Sequence, residues 1–298
     1  MMRNEKILSI YAKENKIIST LEERKFANLE ELEVRLLLEG IYYHYGYDFR
    51  DYATSTIRRR ILYRMRAERL TTVTALMERV LHDPKMMEKL FYDFSINVTE
   101  MFRDPSFFKT FREKVIPQLR QYSHIRIWHA GCSTGEEVYS MAILLYEEGL
   151  LEKARIYATD INERVLETAK VGTFPLSKMK MYTQNYVLSG GMNDFSEYYS
   201  VSRDNAIFKP FLSENMVFAQ HNLVTDHSFN EFHIVICRNV LIYFTPKLQI
   251  RVNKLFYESL CDNGYLVLGK KEGTSSFLQS IRLTMFDQIE KIYQKTRV

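Results

Sequence analysis

The stretch "IWHAGCSTGEEVYSMAILLYEEG", residues 127–149, places a β-branched and aromatic run, two glycines four apart, two adjacent carboxylates and an apolar-periodic segment in one unbroken order. A strand closing near Ala130 and a helix opening just after Gly135 leave a tight turn at the carboxyl edge of a sheet, where open α/β folds bind their ligands. Glycines at such a turn let a ligand approach the main chain. Helix N-termini favour anions, and dinucleotide sites use them for a pyrophosphate. Here Glu136 and Glu137 occupy the first helical turn, and they repel phosphate. A cationic ligand bearing hydroxyl and amino groups suits them better, unless they merely complement the helix dipole.

Short β-rich runs at 125–130, 155–160, 216–223, 233–239 and 265–269 alternate with helical stretches such as "PKLQIRVNKLFYESL". That alternation predicts a mostly parallel sheet wrapped by helices. Before about residue 120 the periodicity is helical, with Leu32, Leu36 and Ile41 as one apolar face. Asp83-Pro84, Asp104-Pro105 and Thr245-Pro246 each read as a cap residue followed by proline at the first helical position, with Gly264 closing the last of those helices. Between 173 and 215 the alternation breaks; the aromatics of "YTQNYVLSGGMNDFSEYYSVSRDNAIF" read as strands around a Gly-Gly turn, an inserted small subdomain.

Composition excludes more than it selects. No apolar run approaches a membrane span, the opening "MMRNEKILSIYAKENK" lacks a signal-peptide core, and a cytoplasmic location is expected. Cys132, Cys237 and Cys261 are odd in number without paired spacing, so they read as small thiols and not as a disulfide or zinc framework. The seven histidines form no metal-binding pair at helical spacing, and no metal is expected. His221 and His233 read as structural residues. A net charge of +4 is modest, but "STIRRRILYRMRAERL" concentrates it: Ile57, Ile61 and Met65 form an apolar stripe, while Arg59, Arg60, Tyr63 and Arg66 lie largely elsewhere. Alone, that pattern is a solvated face or a nucleic-acid contact.

Asp160 closes "RIYATD", about where Rossmann-like folds place a carboxylate on ribose hydroxyls. A glycine turn with a strand-end acid suggests an adenosine-type ligand. S-adenosylmethionine fits the acidic turn, because it combines ribose, adenine, an amino-acid end and a sulfonium without phosphate.

Together, "NVTEMFRD" (97–104), "GCSTGEEVYS" (131–140), "ATDIN" (158–162), "HNL" (221–223) and "CRNVLIYF" (237–244) resemble the chemotaxis receptor methyltransferases, the CheR-type glutamate O-methyltransferases, over roughly residues 40–295. The resemblance implies a class I methyltransferase fold: an α/β domain with a Rossmann-like seven-stranded sheet whose last strand is antiparallel, an all-helical N-terminal domain and a small inserted β subdomain. The expected organisation is a helical extension at 1–35, a helical domain at 36–118 and a methyltransferase domain at 119–298 with its insertion at 173–215. By the same resemblance Asn97, Thr99, Arg103, Glu136, Glu137, Asp160, Asn222, Leu223, Arg238 and Asn239 contact S-adenosylmethionine or the product S-adenosylhomocysteine. Arg103 and Tyr243 meet the reacting groups. One block departs: Gly269-Lys270-Lys271-Glu272 stands where many members have Gly-His-Ser-Glu.

The implied reaction is bacterial glutamate methyl esterification on the cytoplasmic helices of methyl-accepting chemotaxis receptors, by a monomer acting on no nucleic acid and inserted in no membrane. Arg59, Arg60 and Arg66 would then steer an acidic receptor helix. A small-molecule methyltransferase would need neither that helix nor the insertion. A non-catalytic cofactor sensor would have no need of Tyr243.

Overall fold

The computed structural model describes residues 29–95, 97–272 and 283–296. The chain divides between Phe94 and Ser95 into two compact units. In the first, α1 (29–45) is followed by α2 (Thr54–Ala67), α3 (Val73–His82) and α4 (Pro84–Phe94). Ile57, Ile61 and Met65 are buried, as their spacing predicts. They meet Val34, Leu37, Leu38 and Ile41 of α1. Leu32 and Leu36 are instead 40% and 48% exposed. The run "VRLLLEGI" offers two overlapping stripes at helical spacing, and packing against Phe49 and Ile57 selects the other one. Thr72 caps α3 by accepting from the Ala75 amide, and Asp83 accepts from the Lys85 amide at the start of α4.

In the second unit, α5 (Pro105–Thr110) runs through a π-helical turn (Phe111–Val115) into α6 (Ile116–Leu119). The expected helical domain extends to 118, yet Phe107, Phe108, Phe111, Val115 and Leu119 share one core with Ile125, Ile127 and Val138. There follow β1 (Ile125–Ala130), α7 (Glu136–Glu147), β2 (Ala154–Asp160), α8 (Glu163–Val171), β3 (Thr173–Pro175), α9 (Met179–Leu188), β4 (Tyr199–Ser202) and β5 (Asn205–Phe208). The rest comprises β6 (Met216–Gln220), β7 (Phe232–Cys237), α10 (Pro246–Ser259), β8 (Leu260–Leu268), β9 (Leu283–Asp287) and β10 (Ile292–Lys295).

The seven-stranded sheet has the order β6-β2-β1-β7-β8-β10-β9. The first five are mutually parallel, and β10 runs antiparallel to β8 and β9. Central strands covered on both faces need near-continuous apolar sequence, and β1 and β7 supply it. Gly264 lies inside β8, so it does not end α10, which closes at Ser259. No helix among the described residues is long and apolar enough to cross a membrane.

The insertion is a three-stranded antiparallel sheet, β3-β5-β4, together with α9. The aromatics read as strands are partly helical: Tyr182 and Tyr186, four apart, bury one face of α9. The Gly-Gly pair ends that helix and does not turn a hairpin; Gly190 has φ of +82°, and a Cβ at Gly191 would sit 2.2 Å from the Tyr186 ring. Glu147, at the end of α7, anchors the insertion. Its wholly buried carboxylate accepts from the hydroxyls of Tyr186 and Tyr198 (2.8 Å), the Met192 amide (3.1 Å) and Arg112 (2.5 Å). Glu147→Ala removes the acceptor that these groups share, although Arg112 keeps Glu148 at 2.9 Å and the Tyr186 hydroxyl keeps the Asn193 carbonyl at 3.0 Å. It should cost about 2 kcal/mol, read by chemical denaturation, and should speed tryptic cleavage at Arg203 between β4 and β5.

Candidate active site

The turn from β1 to α7 is built on left-handed backbone at Gly131 (φ +79°), Ser133 (+52°) and Gly135 (+93°). The two glycines serve the protein's own packing. A Cβ at Gly131 would lie 2.5 Å from Val240 Cγ2, and one at Gly135 2.9 Å from the Ala169 Cβ. Asp160 ends β2 directly beside this turn, its Oδ2 accepting from the Ser133 amide (2.9 Å) and its Oδ1 from the Asn162 amide (3.0 Å). Burial raises its carboxyl above the usual range, against those amides. A carboxylate has about four lone-pair sites, so Asp160 keeps capacity for further donors. Among the described residues the buried Ser133 hydroxyl has no hydrogen-bond partner.

The adjacent glutamates have different work. Glu136 is buried and turned toward the insertion, accepting from Thr134 (2.5 Å) and from the Tyr182 hydroxyl (3.3 Å), with Lys178 Nζ 3.8 Å away. Burial pushes its carboxyl up. Glu137 joins a charged cluster. Its Oε2 pairs with Arg238 at 2.7 Å, and its Oε1 lies 3.3 Å from His129 Nδ1. Burial acts to raise Glu137 too, but the Arg238 guanidinium and His129 outweigh it and hold the carboxyl below the usual range.

Arg238 follows β7 and its side chain is 1% exposed. Besides Glu137 it pairs with Asp104 at 2.7 Å, gives two bonds of 3.2 Å to the Arg103 carbonyl, and stacks over Phe107 at 4.3 Å. Asp104 therefore does not cap α5, as the Asp-Pro pattern predicts; its own φ is +56° and no cap bond forms. The segment before it is pinned group by group: the Phe102 amide (φ +51°) donates to Ser140 Oγ at 2.9 Å, and the Met101 carbonyl accepts from Asn185 of α9 at 3.0 Å. Left-handed non-glycine residues persist where surroundings over-determine them, commonly at functional sites.

Around this centre, Ser95 Oγ accepts from both Asn97 (3.3 Å) and Asn162 (2.8 Å), which brings Asn97 beside the Asp160 turn. Thr99 and Arg103 are half-buried on the same segment, with Arg103 Nη1 3.3 Å from the Val98 carbonyl. Asn222 spends its Oδ1 on the Val224 amide at 2.9 Å, and Leu223 is buried behind it. Asn239 is left-handed (φ +63°), and half-buried Tyr243 ends the turn Leu241–Tyr243. Buried Glu272 fixes that loop, taking the amides of Val240 and Leu241 at 2.7 Å each as well as that of Gly269. In the first unit, Arg58 pairs with Glu30, and Arg64 with Asp93 and Glu68. No ion pair among the described residues engages Arg59, Arg60 or Arg66. The thiols of Cys132 and Cys237 are buried, which raises both well above their usual range.

Sequence reasoning identified the residues at the sheet edge but missed Asp104, Ser133, Ser140 and His129. An acid before proline and a polar residue inside an apolar strand are the signals that could have marked Asp104 and His129.

A family model described as the CheR methyltransferase SAM-binding domain matches residues 97–288, and one described as its all-alpha domain matches 32–95. Among curated relatives, Cher3 of Pseudomonas putida is 51% identical over 266 residues, covering 89% of this chain and 97% of its own. A chemotaxis protein methyltransferase of Salmonella typhimurium is 27% identical, covering 86% and 88%. One from Listeria innocua is 28% identical, covering 76% and 84%.

Removing the central cation tests the cluster. Arg238→Met leaves two carboxylates without their partner and should cost about 3 kcal/mol at neutral pH. A carboxyl depressed in the fold stabilises above its unfolded pKa and loses that contribution as pH falls through its folded value. In the variant Glu137 keeps His129 but loses the Arg238 charge, the largest influence opposing burial, so its carboxyl rises and its ionised form at neutral pH stabilises the fold less. The gap between variant and wild type should therefore narrow in melts taken from pH 7.5 down to pH 4.5. A constant gap would contradict the cluster.

Proposed function

The chain belongs to the CheR methyltransferase family, and on that premise we propose that it methylates glutamate side chains of methyl-accepting chemotaxis receptors, with S-adenosylmethionine as methyl donor. The observation that supports this most is that one set of contacts joins the cofactor edge to Arg103. Asp160 lies beside the turn that starts α7, and Glu137 of that helix reaches the Arg103–Asp104 segment through Arg238.

The residues fit the cofactor. Asp160 has spare acceptor capacity for ribose hydroxyls, and the Ser133 hydroxyl lacks a partner. Arg238 balances one of its two carboxylates, so the cluster of Arg238, Glu137 and Asp104 carries a net negative charge that suits a cation. When bound, S-adenosylmethionine supplies an electrophilic methyl group on a sulfonium. Asn97, Thr99, Glu137, Asn222, Leu223 and Asn239 serve as its further contacts, whereas Glu136, expected among them, is turned away to Thr134 and Tyr182. Because the Arg238 guanidinium is committed to its acids, Arg238 serves the cofactor by holding Glu137 and offering main chain.

Arg103 orients the incoming carboxylate through paired hydrogen bonds. Its backbone is fixed by Arg238, and among the described residues its guanidinium makes one long bond, to the Val98 carbonyl. A glutamate has a reference pKa of about 4.3, so the nucleophile is ionised at neutral pH and needs no general base. Tyr243, on the loop that Glu272 fixes, shares the carboxylate and limits how tightly Arg103 holds it. Arg59, Arg60 and Arg66 steer the acidic receptor helix.

With labelled cofactor and a receptor cytoplasmic fragment, label should appear on glutamate as a base-labile ester. The rate should fall as salt rises toward the screened regime, and less so when Arg59, Arg60 and Arg66 are glutamine. Absence of ester, or label only on a small molecule, would refute the reading. Separately, Asp160→Ala should weaken S-adenosylhomocysteine binding by about 1.5–3 kcal/mol, measured by calorimetry; unchanged affinity in a folded variant would remove the ribose assignment.

A further inference from the structure

His129 takes no part in the reaction as described, yet it is a polar side chain held in the interior of the sheet. It lies in the middle of the sheet on β1, flanked by β2 and β7, and is 1% exposed. Among the described residues its ring makes one polar contact, Nδ1 to Glu137 Oε1 at 3.3 Å, and its buried Nε2 has no partner. Glu137 is held ionised and can only accept, so the His129 ring donates to it through Nδ1. Leaving a ring nitrogen unsatisfied in the interior is costly. The Nδ1 contact is what this residue has to set against that cost.

Glu137 is gripped from two sides. His129 holds Oε1 and Arg238 holds Oε2, so the carboxylate cannot swing about its own axis without losing one of them. Arg238 in turn holds the Arg103 carbonyl and Asp104. We propose that His129 is a positioning residue of the active site: it sets the orientation of Glu137 for the cofactor and, through Arg238, that of the Arg103–Asp104 turn. This rests on the reading of the site as the S-adenosylmethionine site.

Amide side chains test the geometry, because an asparagine amide nitrogen falls near the place of Nδ1 and a glutamine amide nitrogen near that of Nε2. The full chain carrying His129→Asn, His129→Gln or His129→Leu is titrated calorimetrically with S-adenosylhomocysteine, with a thermal melt of each free protein. His129→Asn should bind within about twofold of wild type, while the Gln and Leu variants weaken about tenfold, the scale of a hydrogen bond to a charged group. A residue that only filled space would lower the melting temperatures without separating Asn from Gln in affinity. Equal affinity in all variants, or an Asn variant as weak as the Gln variant, would overturn the proposal. If the Leu variant does not fold, the Asn–Gln comparison carries the test alone. Because the readout needs no receptor, a wild type that binds S-adenosylhomocysteine but esterifies no glutamate would sink the proposed function and leave this inference standing.

Discussion

A guanidinium taken almost completely out of water has to be met on every side, and Arg238 is. Two carboxylates, a main-chain carbonyl and the face of Phe107 surround it, drawn from the first turn of α7, from α5 and from the segment that leads into α5. A buried ion pair is weak evidence for net stability, because desolvation offsets much of the Coulomb gain. Its use is geometric. Planar, forked donors accept few alternative arrangements, so the position of Arg238 at the end of β7 dictates where the Arg103–Asp104 turn and the Glu137 side chain can lie.

The rest of the site follows the same construction, in which acids gather main-chain amides and so freeze turns that could not hold themselves. Asp160 takes the amides of Ser133 and Asn162, and Glu272 takes those of Val240, Leu241 and Gly269. Burial raises the carboxyls of both. Several of these turns contain left-handed non-glycine residues, Phe102, Asp104, Ser133 and Asn239 among them. Each is held by side chains from other elements. In the Gly269–Glu272 block the acid closes the loop, while Lys270 reaches out to Ser106 at 2.9 Å and to Glu290 at 3.2 Å.

The core strands were legible because burial on both faces forces runs such as "IRIWHA" and "HIVIC", and the place of Asp160 at the sheet edge because it closes such a run beside a glycine turn. Spacing could not choose between overlapping stripes in α1. Nor could β-favouring aromatics reveal that Tyr182 and Tyr186 were also four apart, on a helix. Arg238 was reached only through the family resemblance. Its role as a clamp depends on partners more than one hundred positions away in sequence, which no local pattern encodes. Glycines at 131 and 135 were visible as a turn, but the reason for them, close approach of Val240 and Ala169, belongs to tertiary packing.

If Arg238 and Glu137 act on the cofactor edge as one unit, their effects on binding cannot be independent. The most direct measurement is a double-mutant cycle on S-adenosylhomocysteine affinity with Arg238→Met, Glu137→Gln and the pair together. The account predicts that the double variant binds little worse than the poorer single one, with a coupling of about 1 kcal/mol or more. Losses that simply add would contradict it.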